Sequence, residues 1–255
     1  MILDKQALWI SPTIFQPFQN LCAVQSTRNG GHSAPPYHSL NLGRYTKDDL
    51  GFIQKNQLLF FSKLGYLPEA VADTHQVHGN EILLVEKAGH YSGYDALITN
   101  KKDLLLSISV ADCTPILIYD PKKEVIAAIH AGWKGTMGAI AEKTLTKMSQ
   151  HFGSEPKDCF AYIGTCIDEC SFEVDADVAN FFKEDYKRWD EARGKFFIHL
   201  KKANKDQLCS TGIPPTQVEI SPFDTVRDND YFFSYRKEKG KTGRMLAAIG
   251  MKTGS

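Results

Sequence analysis

Residues 104–135 read LLLSISVADCTPILIYDPKKEVIAAIHAGWKG. Two apolar runs, 115–119 and 124–129, flank Asp120-Pro121-Lys122-Lys123. Asp suits the first position of a β-turn and Pro presets φ at the second, so the two runs are expected to form a hairpin. Folding symmetrically about that turn pairs Tyr119 with Glu124, Leu117 with Ile126 and Pro115 with Ala128. Cys113 then lies opposite His130, and directly opposed residues have Cβ atoms about 4.5–5.5 Å apart. The juxtaposition depends on register, because a slip of one residue would put the two side chains on opposite faces.

A thiol and an imidazole at the end of a hairpin admit three readings. They are a nucleophile with its base, two ligands of one metal, or two core residues that happen to pair. The stretch VADTHQVHGN, residues 71–80, adds His75 and His78 just before Gly79-Asn80, a turn signal. Three strand ends could therefore converge. Catalytic zinc sites use three protein ligands and keep a fourth position open; His78, Cys113 and His130 would make such a set. His75, three residues before His78, faces the other way in a regular strand, which leaves it beside the site or on the surface.

Composition narrows the class. The chain of 255 residues is long enough for one large domain or two small ones. No Pro/Gly/Ser linker divides it, so a single domain over 1–255 is expected. Thirty basic and thirty acidic residues cancel, and no basic block suggests a nucleic-acid or membrane-surface partner. No apolar run approaches the roughly 18 residues of a membrane span. The first residues, MILDKQALWISPTIF, carry an acid at Asp4 and lack a signal-peptide pattern, which points to the cytoplasm. Six cysteines without a C-x-x-C argue against a disulfide framework in that compartment. Cys166 and Cys170 have no second pair at zinc-ribbon spacing.

Periodicity places the elements. A strand is expected over 21–27, ending near Arg28, followed by a long irregular loop over 29–41. A helix over 48–64 carries Leu50, Ile53, Phe60 and Leu64 on one stripe. The helix over 137–152 has Met137, Ile140, Ala141, Thr144, Leu145, Met148 and Phe152 on one face. It starts directly after Gly132-Trp133-Lys134-Gly135, and a strand-turn-helix junction of this kind exposes N–H groups that suit an anion. An ordinary connecting loop is the plain alternative. Further helices are expected over 175–185 and 200–211, and strands over 160–163, 196–200, 217–220, 231–235 and 246–251. Strands outnumber helices without alternating with them, which indicates α+β. FFSYRKEKGKTGRM, residues 232–245, sets Arg236 and Arg244 on either side of a Lys/Gly tip. That is either an anion-binding pair or a solvated basic hairpin.

Taken together, TRNGG with SLNLG, QVHG, ADCTPILIYD, IHAGWKG, IG followed by FEV, and FFSYR with TGRM resemble the bacterial YfiH or laccase-domain family, in family order from about residue 27 to 247. The resemblance implies a single layered α+β domain, with two mixed β-sheets between helices, and a mononuclear metal site at His78, Cys113 and His130. It implies one of two activities. One is copper-dependent polyphenol oxidation. The other is zinc-linked purine nucleoside phosphorolysis on adenosine, inosine or methylthioadenosine, with adenosine deamination at its side.

A conventional multicopper oxidase needs paired His-x-His motifs. This chain has eight histidines and none of those pairs, so any copper would bind at the His/Cys/His set. Such N/S sites hold Cu(II) more tightly than zinc, which makes copper uptake a poor guide to the native metal. Phosphorolysis instead needs a cationic cradle for phosphate. Arg28, the turn with Gly132, Lys134 and Gly135, Arg236 and Arg244 are the candidates, with His75 nearby. It also needs a proton donor for the leaving base, for which Asp112 or a neighbouring histidine is available. A metal-free Cys113/His130 hydrolase and a structural zinc protein remain open alternatives. Expected partners are a purine nucleoside and phosphate, in a monomer or homodimer. Thr165, where many family members have Pro, and the Phe223-Asp224-Thr225 stretch depart from the family pattern, so the substrate pocket is the part expected to differ.

Overall fold

The computed structural model describes Asp4 and residues 6–253. The remaining residues of the N-terminal reading, 1–3 and 5, lie outside the described residues. Two six-stranded mixed sheets dominate. The first runs, edge to edge, through Trp9–Ile10 (β1), Leu21–Ser26 (β2), Met245–Met251 (β15), Leu105–Val110 (β7), Val71–His75 (β3) and Gly89–Ser92 (β5). The second runs through Val218–Ile220 (β14), Phe160–Ile163 (β10), Thr114–Asp120 (β8), Val125–Ala131 (β9), Ala96–Thr99 (β6) and Ile82–Leu84 (β4). A small antiparallel sheet of Glu173–Val174 (β11), Lys195–Ile198 (β13) and Lys187–Asp190 (β12) stands apart. The helices are Leu50–Lys63 (α1), Trp133–Met137 (α2), Ile140–Phe152 (α3), Ala176–Ala179 (α4) and Leu200–Ser210 (α5).

The layers follow from strand patterning. Leu106, Ile108 and Val110 of β7 and Ala247 and Ile249 of β15 face Leu117, Ile126 and Ala128 of the second sheet in one shared core. The opposite face of the second sheet, with Ile116, Ile118, Ala127 and Ile129, packs on Ile140, Leu145 and Met148 of α3 and Leu208 of α5. The opposite face of the first sheet packs Leu105 and Ala248 on Phe60 and Phe61 of α1. Strands β8 and β9 are buried on both faces, which is why they read as unbroken apolar runs rather than alternations. The protein is therefore α+β with two mixed sheets between helices.

The hairpin forms with a different tip. Tyr119 pairs with Ile126, Leu117 with Ala128 and Pro115 with His130, so each expected partner moves on by two residues. The Asp120 carboxylate accepts the amides of Lys122 and Lys123, 2.9 and 3.1 Å away, and Glu124 turns left-handed at φ 51°. These bonds draw Asp120 into the ladder opposite Val125 and leave four residues in the tip. A shift of two keeps face parity, so Cys113 and His130 still share a face, now diagonally.

Three elements differ from expectation. The long helix is broken at Gly138 and at Ala139, which is left-handed at φ 56°, and Met137 is exposed. The helix over 175–185 shrinks to α4 and a single 3₁₀ turn at Glu184–Tyr186. Residues 231–235 form turns, not a strand, because Glu238 draws the segment into a loop by accepting from the Ser234 amide and the Thr242 hydroxyl. Leu50, assigned to the buried stripe of α1, is also exposed; Asn56 and Gln57 are buried in its stead.

Three crossovers from the first sheet to the second lie side by side: β3 to β4, β5 to β6, and β7 to β8. They carry His78, Asp95 and Cys113 respectively. This bundle of crossovers creates the site.

Candidate metal centre and its cavity

His78, Cys113 and His130 place their ligand atoms within 4.8 Å of one another. The two imidazoles meet edge to face, with centroids 4.9 Å apart. Bonds of about 2.0–2.3 Å to a tetrahedral zinc imply ligand separations of about 3.3–3.8 Å, so small side-chain rotations would close the trio on an ion. The donor set fits a borderline-soft metal. Among the described residues it is the only such group of three.

Asp95 organises the trio, although no sequence motif marks it. Its fully buried carboxylate accepts from the amides of His78 at 3.0 Å and Gly79 at 2.7 Å. It also meets His130 Nδ1 at 2.8 Å, which leaves Nε2 of that ring for the centre. Histidine ligands are commonly oriented in this way. Burial pushes the Asp95 carboxyl up, but the His130 bond and charge and the amides of Gly79 and Val77 together hold it below the usual range. Burial also opposes the Cys113 thiolate; His130 and His78 outweigh it and bring the thiol down to about 6. For His130, burial works against the cation, while Cys113 and Asp95 raise the ring to about 9. Thiolate character at Cys113 is what a metal ligand or a nucleophile needs.

Backbone strain marks the same place. His78 and Asp112 adopt φ of 59° and 86°, a region uncommon for residues other than Gly. Asp112 is held there on three sides: its carbonyl accepts from the Ile167 amide, and its carboxylate accepts from the Arg236 amide and the Thr225 hydroxyl, each at 2.6 Å. Burial raises its carboxyl despite these bonds. Both oxygens thus act as acceptors.

The trio opens on a cavity of about 600 Å³ on the outer face of the first sheet. Strand β7 explains its polar wall: Leu106, Ile108 and Val110 face the core, while Ser107 and Ser109 alternate to the other side and line the cavity. Beyond Ala72, β3 parts from β7. The Gln76 amide then takes over from the strand, accepting from the Ser109 amide and donating to the Ser109 carbonyl, both at 2.8 Å. Asp112, His75, Arg236 and Arg244 also line this cavity. Arg244 donates from Nη1 to the carbonyls of Thr242 and Gly243, and Arg236 from Nη1 to the Glu173 carbonyl.

Two sets of expected phosphate ligands are placed elsewhere. Arg28 is outside the cavity lining: its guanidinium pairs with Glu238 at 3.0 Å, donates to the carbonyls of His38 and Asn229, and stacks on Phe233. Gly132, Lys134 and Gly135, which form the start of α2 rather than a turn, are also outside the cavity lining. Lys134 is exposed, with its ammonium over the Trp133 ring. The two glycines serve close packing instead. A Cβ on Gly132 would lie 3.3 Å from both Cys113 Sγ and His78 Cδ2, and one on Gly135 would lie 2.9 Å from the Gly79 carbonyl.

Comparison with known proteins agrees with this architecture. Residues 22–252 match the family described as multi-copper polyphenol oxidoreductase laccase. A Bacteroides thetaiotaomicron protein named purine nucleoside phosphorylase is 36% identical over 248 residues, covering 91% of this chain and 92% of that protein. The crystal structure of YlmD from Geobacillus stearothermophilus superposes with a TM-score of 0.90 at 29% identity, over 97% of this chain and 100% of that one. That of the Bacillus licheniformis hypothetical protein YfiH gives 0.87 at 32%, over 91% and 93%. With its crossover-borne His/Cys/His trio and this match along almost its whole length, the chain belongs to the YfiH or laccase-domain family.

Proposed function

We propose that this protein is a zinc-dependent purine nucleoside phosphorylase, acting on adenosine, inosine or methylthioadenosine, with adenosine deamination as a side activity. The observation that carries the reading is the meeting, in one nucleoside-sized cavity, of a three-ligand metal set and two arginines with unspent donors. Relatives named purine nucleoside phosphorylase cover the chain nearly end to end. His78, Cys113 and His130 would hold the ion, which supplies Lewis-acid polarisation of a substrate oxygen or a water.

The remaining work falls to the chain. Arg244 and Arg236 each spend only Nη1 on carbonyls among the described residues. Their Nε and Nη2 edges are left for the bidentate recognition of phosphate to which guanidinium is suited. Arg244 is held over the Tyr235 ring and Arg236 over Phe172, each 5.5 Å from the centroid, so both guanidinium planes are oriented before phosphate arrives. The Ser107 and Ser109 wall offers polar groups to a ribose. No helix among the described residues is long and apolar enough to cross a membrane. All six cysteines are free, in keeping with work in the reducing cytoplasm.

Release of free base from inosine and adenosine by the purified protein, with and without phosphate, tests this alongside elemental analysis. Phosphate-dependent release with about one zinc per chain is expected for a three-ligand catalytic site. Absence of release at every phosphate concentration would overturn the proposal. The copper polyphenol oxidoreductase reading would then lead, provided oxygen uptake with a phenol required copper. The single three-donor group among the described residues speaks against a multicopper cluster, which needs further ligand sets.

A further inference from the structure

The cavity holds a second chemical unit at its mouth, away from the metal ligands. The carboxylate of Asp73 meets His90 Nδ1 at 2.6 Å, and His90 Nε2 meets the Tyr45 hydroxyl at 2.6 Å. The other Asp73 oxygen takes Nε of Arg44 at 3.1 Å. The Tyr45 ring is stacked on His75, with centroids 4.3 Å apart. All five residues line the cavity. They come from three separate segments: the loop before α1, strand β3 with its end, and the edge strand β5.

Two features set this chain of bonds apart from an ordinary surface network. First, the loop bearing Arg44 and Tyr45 is built in. Fully buried Asn41 accepts from the amides of Gly43 and Arg244, and donates to Thr46 and Asp48. One side chain thus ties the Tyr45 loop to the arginine expected to bind phosphate. Second, the geometry is that of a charge-oriented relay: a carboxylate fixes one ring nitrogen and the other faces a hydroxyl. The fold itself does not need the arrangement, since Tyr45 is 62% exposed and β5 is an edge strand.

We propose that Tyr45 is a further catalytic residue, the proton donor to the leaving purine, and that His90 and Asp73 position and reload it. This rests on the phosphorolysis reading. As the ribose C1′–N9 bond breaks, its electron pair goes to the base and a phosphate oxygen bonds to C1′. The Tyr45 O–H proton moves to the base. A proton then passes from His90 Nε2 to the tyrosinate, with the ring held by Asp73 through Nδ1, and solvent returns a proton to Nε2. Arg44 Nε holds the other Asp73 oxygen in place. A donor at the cavity mouth also complements the inner wall, where Asp112 uses both carboxylate oxygens as acceptors.

The test exploits the leaving group, in full-length zinc-loaded protein with saturating phosphate. Inosine requires a protonated leaving base; a 4-nitrophenyl riboside expels a phenolate that needs no proton. Tyr45→Phe is expected to lower kcat on inosine by about 100-fold, within the range for loss of a general acid, with KM little changed. On the nitrophenyl riboside it should fall by less than about threefold, since no proton transfer is lost there. Asp73→Asn should show the same selectivity with a smaller loss, which separates relay from folding. Equal losses on both substrates, or none on either, in an otherwise working enzyme would overturn the role of Tyr45. Wild-type protein that releases no base from inosine in the presence of phosphate would overturn the phosphorylase reading itself.

Discussion

Asp95 reaches two of the three candidate ligands with one carboxylate, through the His78 amide and the His130 ring. Asp95→Asn keeps the shape but replaces one acceptor oxygen with an NH₂ that faces amide donors. Metal affinity is expected to fall 10- to 100-fold, as for other residues that orient histidine ligands; chelator competition measures it. Unchanged affinity would mean that the trio is held by packing alone. A second contrast separates the arginines. Arg244→Ala should raise the phosphate KM by about tenfold, the loss of roughly one charge-assisted hydrogen bond. Arg28→Ala should leave that KM alone and cost about 3 kcal/mol of stability, because it strands the part-buried Glu238. Urea unfolding beside phosphate titrations reads both. The two arginines looked alike in sequence, each beside a Gly-rich turn. Nothing local told that Arg28 had a carboxylate 210 positions away, and charge pairing at that range is not legible in sequence. Asp95 did leave a trace, as an acid abutting the apolar run Ala96–Thr99.

Among the elements, the hairpin shows how an expectation survives for a reason that can be stated. Its partners moved by two, yet Cys113 and His130 kept one face, because the face depends only on parity. The strands over 160–163 and 246–251 were readable because strands buried on both sides declare themselves by composition. The break at Ala139 was not, since a left-handed alanine has no sequence signature. The segment at the start of α2 carries charge in its sequence, but its glycines act by lacking a Cβ. Gly135 has an ordinary helical backbone, so Gly135→Ala brings steric crowding alone. Its Cβ would press to 2.9 Å from the Gly79 carbonyl and push the His78 loop off the centre. Zinc affinity should drop by about tenfold, comparable to loss of an orienting contact. Lys134→Ala, on the same helix, should leave phosphate KM and zinc affinity unchanged. Zinc titration and phosphate kinetics of both variants decide whether this segment packs the site or binds its anion; a raised phosphate KM in Lys134→Ala would restore the anion role.

On the scale of the whole molecule, the candidate centre joins the two sheets. His78 and Cys113 sit on crossovers that leave the first sheet, and His130 ends a central strand of the second. An ion held by all three closes the layers at the end where the cavity opens. Ligation that exists only in the folded chain adds RT ln(1 + [L]/Kd) to stability. Free zinc at a thousandfold excess over Kd therefore adds about 4 kcal/mol. For a chain of this size that corresponds to a rise in Tm of about 8–16 °C. Thermal melts of the chelated and zinc-loaded protein should differ by this amount, and the Cys113→Ala variant should show little of the difference. The variant matters because zinc bound elsewhere on the surface would shift both proteins alike. A zinc-loaded wild type that melts with its chelated form would mean that the two sheets are already locked by the core between Leu106, Ile108 and Leu117, Ile126. The trio would then be a site displayed on the fold rather than one that helps to hold it.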